Sequence, residues 1–99
     1  MRSSREIREV VSAGKRVGNS SATLHFLPSE TNQFAIIVSK AVGSAVERNL
    51  VKRRIRSILA SLEAGPFKIK AAVRVKPGAA AASYQTLAAD ITDLIERAV

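Results

Sequence analysis

The chain has no cysteine and no tryptophan, and it has a single histidine among its 99 residues. Without cysteine there is no disulfide framework and no thiolate metal site, and one imidazole cannot form a histidine cluster. No nucleophile signature surrounds that histidine, His25. We therefore expect neither a metal centre built by protein side chains nor catalytic residues.

Long apolar runs are also missing. No stretch reaches the length of a transmembrane helix, and none combines a charged start with the apolar core of a signal peptide. These absences predict a soluble, cytoplasmic protein without a membrane partner. The length suits one domain, residues 1–99, and the 46% hydrophobic content predicts that it folds around a single modest core.

Acidic residues are scarce relative to basic ones. Eight Asp and Glu face sixteen Lys and Arg, which gives a formal charge of +8 and a pI near 10.9. Such a balance is typical of a protein whose partner is a polyanion, either a nucleic acid or an anionic membrane surface.

Apolar residues at helical spacing predict three helices. Ser3 and Glu6 form a capping-box pattern for the first, residues 3–13, and Ser44 and Glu47 form one for the second, residues 44–62. Ser83 is expected to cap the third. Its apolar stripe runs from Tyr84 to Ile95, and its acidic residues Asp90, Asp93 and Glu96 are expected to face solvent.

Three segments read as strands. Residues 21–28 alternate, and residues 34–39 are almost continuously apolar, which predicts a central strand covered on both faces. Residues 67–76 alternate as well. One face carries Phe67, Ile69, Ala71, Val73 and Val75, and the other carries Lys68, Lys70, Arg74 and Lys76. The cationic face is either a solubility device on an edge strand or a widening of a phosphate-binding surface.

The nine residues 48–56, RNLVKRRIR, contain five cations and no acid. Like charges three or four residues apart repel, and together these cost an isolated helix about 1 kcal/mol. On a helical projection Asn49, Lys52, Arg53 and Arg56 form one arc beside the apolar face, with Arg48 at its edge and Arg54 on the opposite flank. Phosphates are the obvious source of counter-charge, because arginine can grip them bidentately. A merely solvated basic face is the alternative.

Residues 38–56, VSKAVGSAVERNLVKRRIR, closely resemble the signature of the bacterial ribonuclease P protein family. A G-x-R at Gly14–Arg16 and an R-x-x-P at Arg74–Pro77 occur in the order that the family shows. The resemblance covers nearly the whole chain.

This resemblance implies a fold and a function. The fold would be an α/β (α+β) two-layer sandwich of the ribosomal protein S5 domain 2-like class, in the order αβββαβα, with a left-handed β-α-β crossover and an extra short strand near residues 16–19. The protein would bind the catalytic RNA of ribonuclease P and assist removal of the 5′ leader of precursor tRNA. The chemistry would belong to the RNA and to Mg²⁺ that the RNA mainly holds.

The resemblance also implies which residues contact RNA. Those facing the catalytic RNA would be Lys40, Arg48, Asn49, Lys52, Arg53 and Arg56. The leader would lie in a cleft between the first helix and the open sheet face, near Arg16, His25 and Arg74. His25 stands where relatives often carry an aromatic, so it either stacks on a base or is an ordinary exposed strand residue.

The chain departs from the commoner family pattern in three places. Ala41 replaces a frequent second lysine, Ile7 and Val11 stand where aromatics are usual, and the N-terminal arm is short. We expect these departures to affect contacts with the leader more than contacts with the catalytic RNA.

Two other functions are compatible with the sequence. One is a general RNA-binding protein associated with the ribosome, which would share the charge pattern. The other is an interaction protein whose basic helix docks on an acidic partner or an anionic membrane, although such a helix should carry bulky apolar residues opposite its cations. Neutralising about five phosphates predicts a log-log salt slope of roughly −3.5 to −4.5, and a protein partner should give a shallower one.

Overall fold

A computed structural model describes residues 4–98. The helices are α1 Ser4–Ala13, α2 Ala45–Leu62 and α3 Tyr84–Ala98, and the strands are β1 Lys15–Gly18, β2 Ala22–Pro28, β3 Gln33–Ile37 and β4 Ile69–Val75. Short 3-10 turns span Lys40–Val42 and Pro77–Ala81. The predicted order αβββαβα is confirmed, including the short strand β1. The proposed cap Ser3 lies outside the described residues.

The four strands form one mixed sheet in the order β1-β2-β4-β3. β1 and β2 are antiparallel, as are β2 and β4, whereas β3 runs parallel to β4. Parallel neighbours need a crossover connection, and α2 provides it. The prediction that residues 34–39 form a central strand is wrong: β3 is an edge strand whose five residues are all half-buried. Its apolar run arises because Phe34 and Ile36 pack against the core while their neighbour Ala35 lines a groove.

Helices α2 and α3 cover one face of the sheet and α1 covers part of the other. The main core joins alternate residues of β2 and β4 to both helices; its fully buried large side chains are Leu24, Val51, Ile55, Val73, Leu87, Ile91, Leu94 and Ile95. On the opposite face Val10, His25 and Ala72 are buried outside that cluster. The sheet therefore presents only part of its α1-side face to solvent.

The predicted strand 67–76 is shorter and lies in the centre of the sheet. Lys68 adopts a left-handed backbone conformation, with φ of 53°, so the strand begins at Ile69. Because β4 pairs with β2 on one side and with β3 on the other, it is not an edge strand. The interpretation of its cations as a solubility device on an edge strand is therefore wrong. Lys70 pairs with Glu9 of α1 at 3.6 Å, and Lys76 Nζ donates to the Asn19 carbonyl at 2.6 Å.

Both predicted caps within the described residues are present. The Ser44 hydroxyl accepts from Glu47 N, and the Glu47 carboxylate accepts from Ser44 N, each at 3.2 Å. Gly43 precedes this box with φ of 153°, and a Cβ there would lie 2.9 Å from the Glu47 carboxyl. Ser83 accepts from Thr86 N at 3.1 Å at the start of α3. Residues 43–47 thus fix where α2 begins.

Two details of α3 differ from the sequence prediction. Tyr84 is 41% exposed and does not join the core; its hydroxyl lies 3.0 Å from Ser57 Oγ on α2. Asp90 does not simply face solvent, because its carboxylate accepts a hydrogen bond from the Ser21 hydroxyl. Apolar residues at helical spacing predict which face of a helix is buried. They do not predict how far along the helix the surface that covers this face extends.

We predict that Ile55→Asp abolishes folding. Ile55 is fully buried, and an unpaired buried carboxylate costs several kcal/mol, a large part of the roughly 5–15 kcal/mol that stabilises a domain. Circular dichroism should show no cooperative thermal transition. Ala60→Asp introduces the same group at an exposed position of the same helix and should keep the transition. A folded Ile55→Asp protein would contradict the inward orientation of this face of α2.

Candidate nucleic-acid interface

Three of the five cations of α2 lie on its exposed side. Burial of Val51, Ile55, Ile58 and Leu59 fixes the rotation of the helix. As a result the predicted arc is exposed, and it consists of Asn49, Lys52, Arg53 and Arg56. Arg54, on the opposite flank, is half-buried and donates from Nη1 to the Ala82 carbonyl at 3.1 Å.

The cations of this arc have no ion-pair partner within residues 4–98. Within residues 4–98 the only ion pairs are Lys70 with Glu9 and Arg97 with Asp93. Over the same range Lys52, Arg53 and Arg56 make no side-chain hydrogen bond, and the one acid of the first turn, Glu47, is engaged in the cap. The positive potential of the arc is therefore available to an external anion.

Two further cations extend this surface toward the start of α2. Lys40 is exposed in the 3-10 turn that precedes the helix. Arg48 is half-buried, and its Nε is buried without an acceptor among the described residues. A buried donor without a partner is unfavourable, so an acceptor from a bound molecule would improve the environment of Arg48.

A groove of about 370 Å³ lies between α1, β3 and α2. Ile7 contributes from α1, Ala35 and its neighbours from β3, and Lys52 and Arg56 from α2. The groove is thus continuous with the basic arc. Ile7 gives this wall of the groove an aliphatic surface.

The structure also brings together the three residues predicted for the leader cleft. Arg16 of β1 is the cross-strand partner of His25 of β2, and Arg74 of β4 is opposite Thr23, two residues from His25. Side chains two residues apart on a strand share a face, so the two exposed arginines flank His25 on the α1 side of the sheet. Burial, together with the charges of Arg74 and Arg16, lowers the pKa of His25 from its usual 6.5.

His25 is only 5% exposed, so the interpretation as an exposed strand histidine is wrong. Its Nε2 is buried and has no hydrogen-bond partner among residues 4–98. A ring in this position is not presented for stacking on a base; it supports the surface that carries Arg16 and Arg74. The sequence pattern could not reveal this, because it does not indicate which strand residues α1 covers.

The groove and the arginine pair are separate parts of one side of the molecule. Ala35, Ala72 and His25 lie in one cross-strand row over β3, β4 and β2. Two strand spacings of about 4.8 Å place His25 about 10 Å from Ala35. The groove and the arginine pair could thus contact successive parts of one extended ligand.

Comparison with known proteins identifies the family. The family model "Ribonuclease P" matches residues 1–99. The chain is 34% identical to the ribonuclease P protein component of Corynebacterium diphtheriae, covering 95% of the chain and 87% of the relative. It is 39% identical to that of an Arthrobacter species, covering 97% of the chain and 74% of the relative. The chain belongs to the ribonuclease P protein family.

Solved structures agree on the fold. The Staphylococcus aureus RNase P protein matches with a TM-score of 0.89 at 19% identity, over 99% of this chain and 93% of that one. The Thermotoga maritima RNase P protein matches with a TM-score of 0.87 at 20% identity, over 98% of this chain and 94% of that one. The predicted fold class is therefore confirmed.

Membership of the ribonuclease P protein family makes the chain a subunit of the endoribonuclease that processes tRNA, a ribonucleoprotein. The relatives from Corynebacterium diphtheriae and the Arthrobacter species are both ribonuclease P protein components. The alternative of a general, ribosome-associated RNA-binding protein therefore gains no support from them. Within residues 4–98 no group of three acidic or histidine side chains could hold a metal ion, and no helix is long and apolar enough to cross a membrane.

We predict that His25 makes the stability of the domain pH-dependent. Because its pKa is lower in the folded state than in the unfolded chain, the unfolded chain binds the proton more readily, and the free energy of unfolding should fall as pH drops below about 6.5. His25→Phe removes this contribution. Urea unfolding at about pH 7.5 and about pH 5.5 should show a smaller acid-induced loss for the variant. An equal loss in both proteins would contradict the burial of His25.

Proposed function

We propose that the exposed arc of α2, with Lys40 and Arg48, binds the catalytic RNA of ribonuclease P. The observation that carries this proposal is the arc itself, where three exposed cations have no protein partner within residues 4–98. Arginine forks bind phosphates bidentately, and the Asn49 amide adds both donors and an acceptor for sugar or base edges.

We also propose that the 5′ leader of precursor tRNA crosses the α1 side of the sheet. The groove beside Ile7 is open to the basic arc through Lys52 and Arg56. Arg16 and Arg74 lie further across the same face and could bind leader phosphates. A single strand in this position would approach the catalytic RNA without strong repulsion, because the cations of α2 would lie between the two polyanions.

In this proposal the protein supplies positioning and charge. Mg²⁺, held mainly by the RNA, supplies the chemistry of phosphodiester hydrolysis. Lys52, Arg53 and Arg56 hold the RNA phosphates, Arg16 and Arg74 orient the leader, and the apolar groove wall limits its path. A cytoplasmic location follows from these proposed partners.

The structure disfavours a membrane partner for α2. An interfacial helix needs bulky apolar side chains opposite its cations. In α2 those side chains, Val51, Ile55 and Leu59, are almost fully buried in the core. They are therefore not available to a bilayer.

We predict that Arg53→Ala combined with Arg56→Ala weakens binding to a bacterial ribonuclease P RNA and leaves the thermal transition intact. If each arginine neutralises one phosphate, the log-log salt slope should become shallower by roughly 1.4 to 1.8. Arg97→Ala is the control, because it removes a cation of α3 that pairs with Asp93. An unchanged slope in the double variant would exclude these arginines from the interface.

Cleavage of a precursor tRNA by a bacterial ribonuclease P RNA at low Mg²⁺ tests the whole proposal. Adding the protein should restore cleavage at the mature 5′ end. Arg16→Ala with Arg74→Ala should reduce this effect for a substrate with a long leader and have little effect when the leader is one or two nucleotides. RNA binding without any change in cleavage would contradict the proposed role in leader recognition.

A further inference from the structure

Tyr84 is an unusual surface residue in this protein. Within residues 4–98 the only exposed large hydrophobic side chains are Tyr84, at 41%, and Val46. The Tyr84 hydroxyl is hydrogen-bonded to Ser57 Oγ at 3.0 Å, which ties the first residue of α3 to α2. The side chain is therefore anchored through its hydroxyl group, while the residue as a whole remains exposed to solvent.

The surroundings of the ring are cationic. Ser57 lies one turn after Arg53 on α2, so the two side chains are neighbours on the helix surface. Arg54, which precedes Ser57 by three residues, reaches toward the start of α3 and donates to the Ala82 carbonyl. The tyrosine ring thus lies next to the basic arc, on the flank of α2 away from the groove.

An exposed aromatic ring beside a row of cations is the combination that binds single-stranded nucleic acid. The ring stacks on a base of any identity, and the cations bind the backbone. Arg53 and Ser57 are separated by about 6 Å along the helix axis, a distance that the phosphate and base of one nucleotide can span.

We propose that Tyr84 is a stacking platform for one unpaired base of the RNA that binds α2, with Arg53 holding the adjacent phosphate. This inference rests on the proposed function, because it assigns an additional contact to the same surface. It extends the interface from α2 to the beginning of α3, beyond the residues that the sequence motif indicates.

The protein contains its own probe for this contact. Tyr84 is its only tyrosine and there is no tryptophan, so intrinsic emission reports on this ring alone. Single-stranded oligoadenylate should quench the emission, because the base stacks on the ring, whereas inorganic polyphosphate should bind the arc without comparable quenching. Equal effects of the two polyanions, or RNA binding without quenching, would overturn the proposal.

Two variants separate the ring from its hydroxyl group. Tyr84→Ala should weaken binding of labelled oligoadenylate by about fivefold to a hundredfold, the range expected for one base stacked on an aromatic side chain. Tyr84→Phe keeps the ring and should bind within about twofold of the original protein. An equal loss in both variants would show that the hydrogen bond to Ser57 matters and the stacking does not.

The same measurements distinguish this inference from the proposed function. If Tyr84→Ala folds, as its circular dichroism should show, and binds oligoadenylate and ribonuclease P RNA like the original protein, the platform is excluded while the role of α2 stands. If the original protein binds neither RNA, the proposed function itself fails, and this inference fails with it.

Discussion

The burial of one side of α2 against the sheet is the constraint on which the interface depends. Fully burying an aliphatic side chain contributes about 1.5–3 kcal/mol, and α2 buries four of them. The repulsion among its cations costs about 1 kcal/mol in total. Burial therefore determines the rotation of the helix, and this rotation leaves Lys52, Arg53 and Arg56 exposed to solvent.

The recognisable segment 38–56 combines residues that build the fold with residues that face outward. Val42 is buried, Gly43 leaves room for Glu47, and Ser44 completes the cap with that glutamate. Together they fix the first turn of α2. Since the phase of a helix follows from its start and from its buried side, these residues also set where Lys52 and its neighbours point.

The helices and strands could be predicted from the sequence more accurately than the way they pack against one another. Caps and periodicity are local, so α2, α3 and the arc were predicted correctly. The lateral order of strands is not local, and the edge position of β3 and the central position of β4 were missed because an apolar run indicates burial without indicating what covers it. The burial of His25 under the α1 side and the exposure of Tyr84 likewise depend on where a neighbouring element ends.

The same charge arrangement has opposite effects in the free protein and in its complex. Without a polyanion, Lys52, Arg53 and Arg56 repel one another, and Arg48 carries a buried donor without an acceptor among residues 4–98. Phosphates would relieve both penalties. A ligand that binds only the folded chain raises its stability. An RNA bound at this surface should therefore stabilise the folded domain. Replacing these cations by neutral residues would raise the stability of the free protein and would remove the charges that attract an RNA.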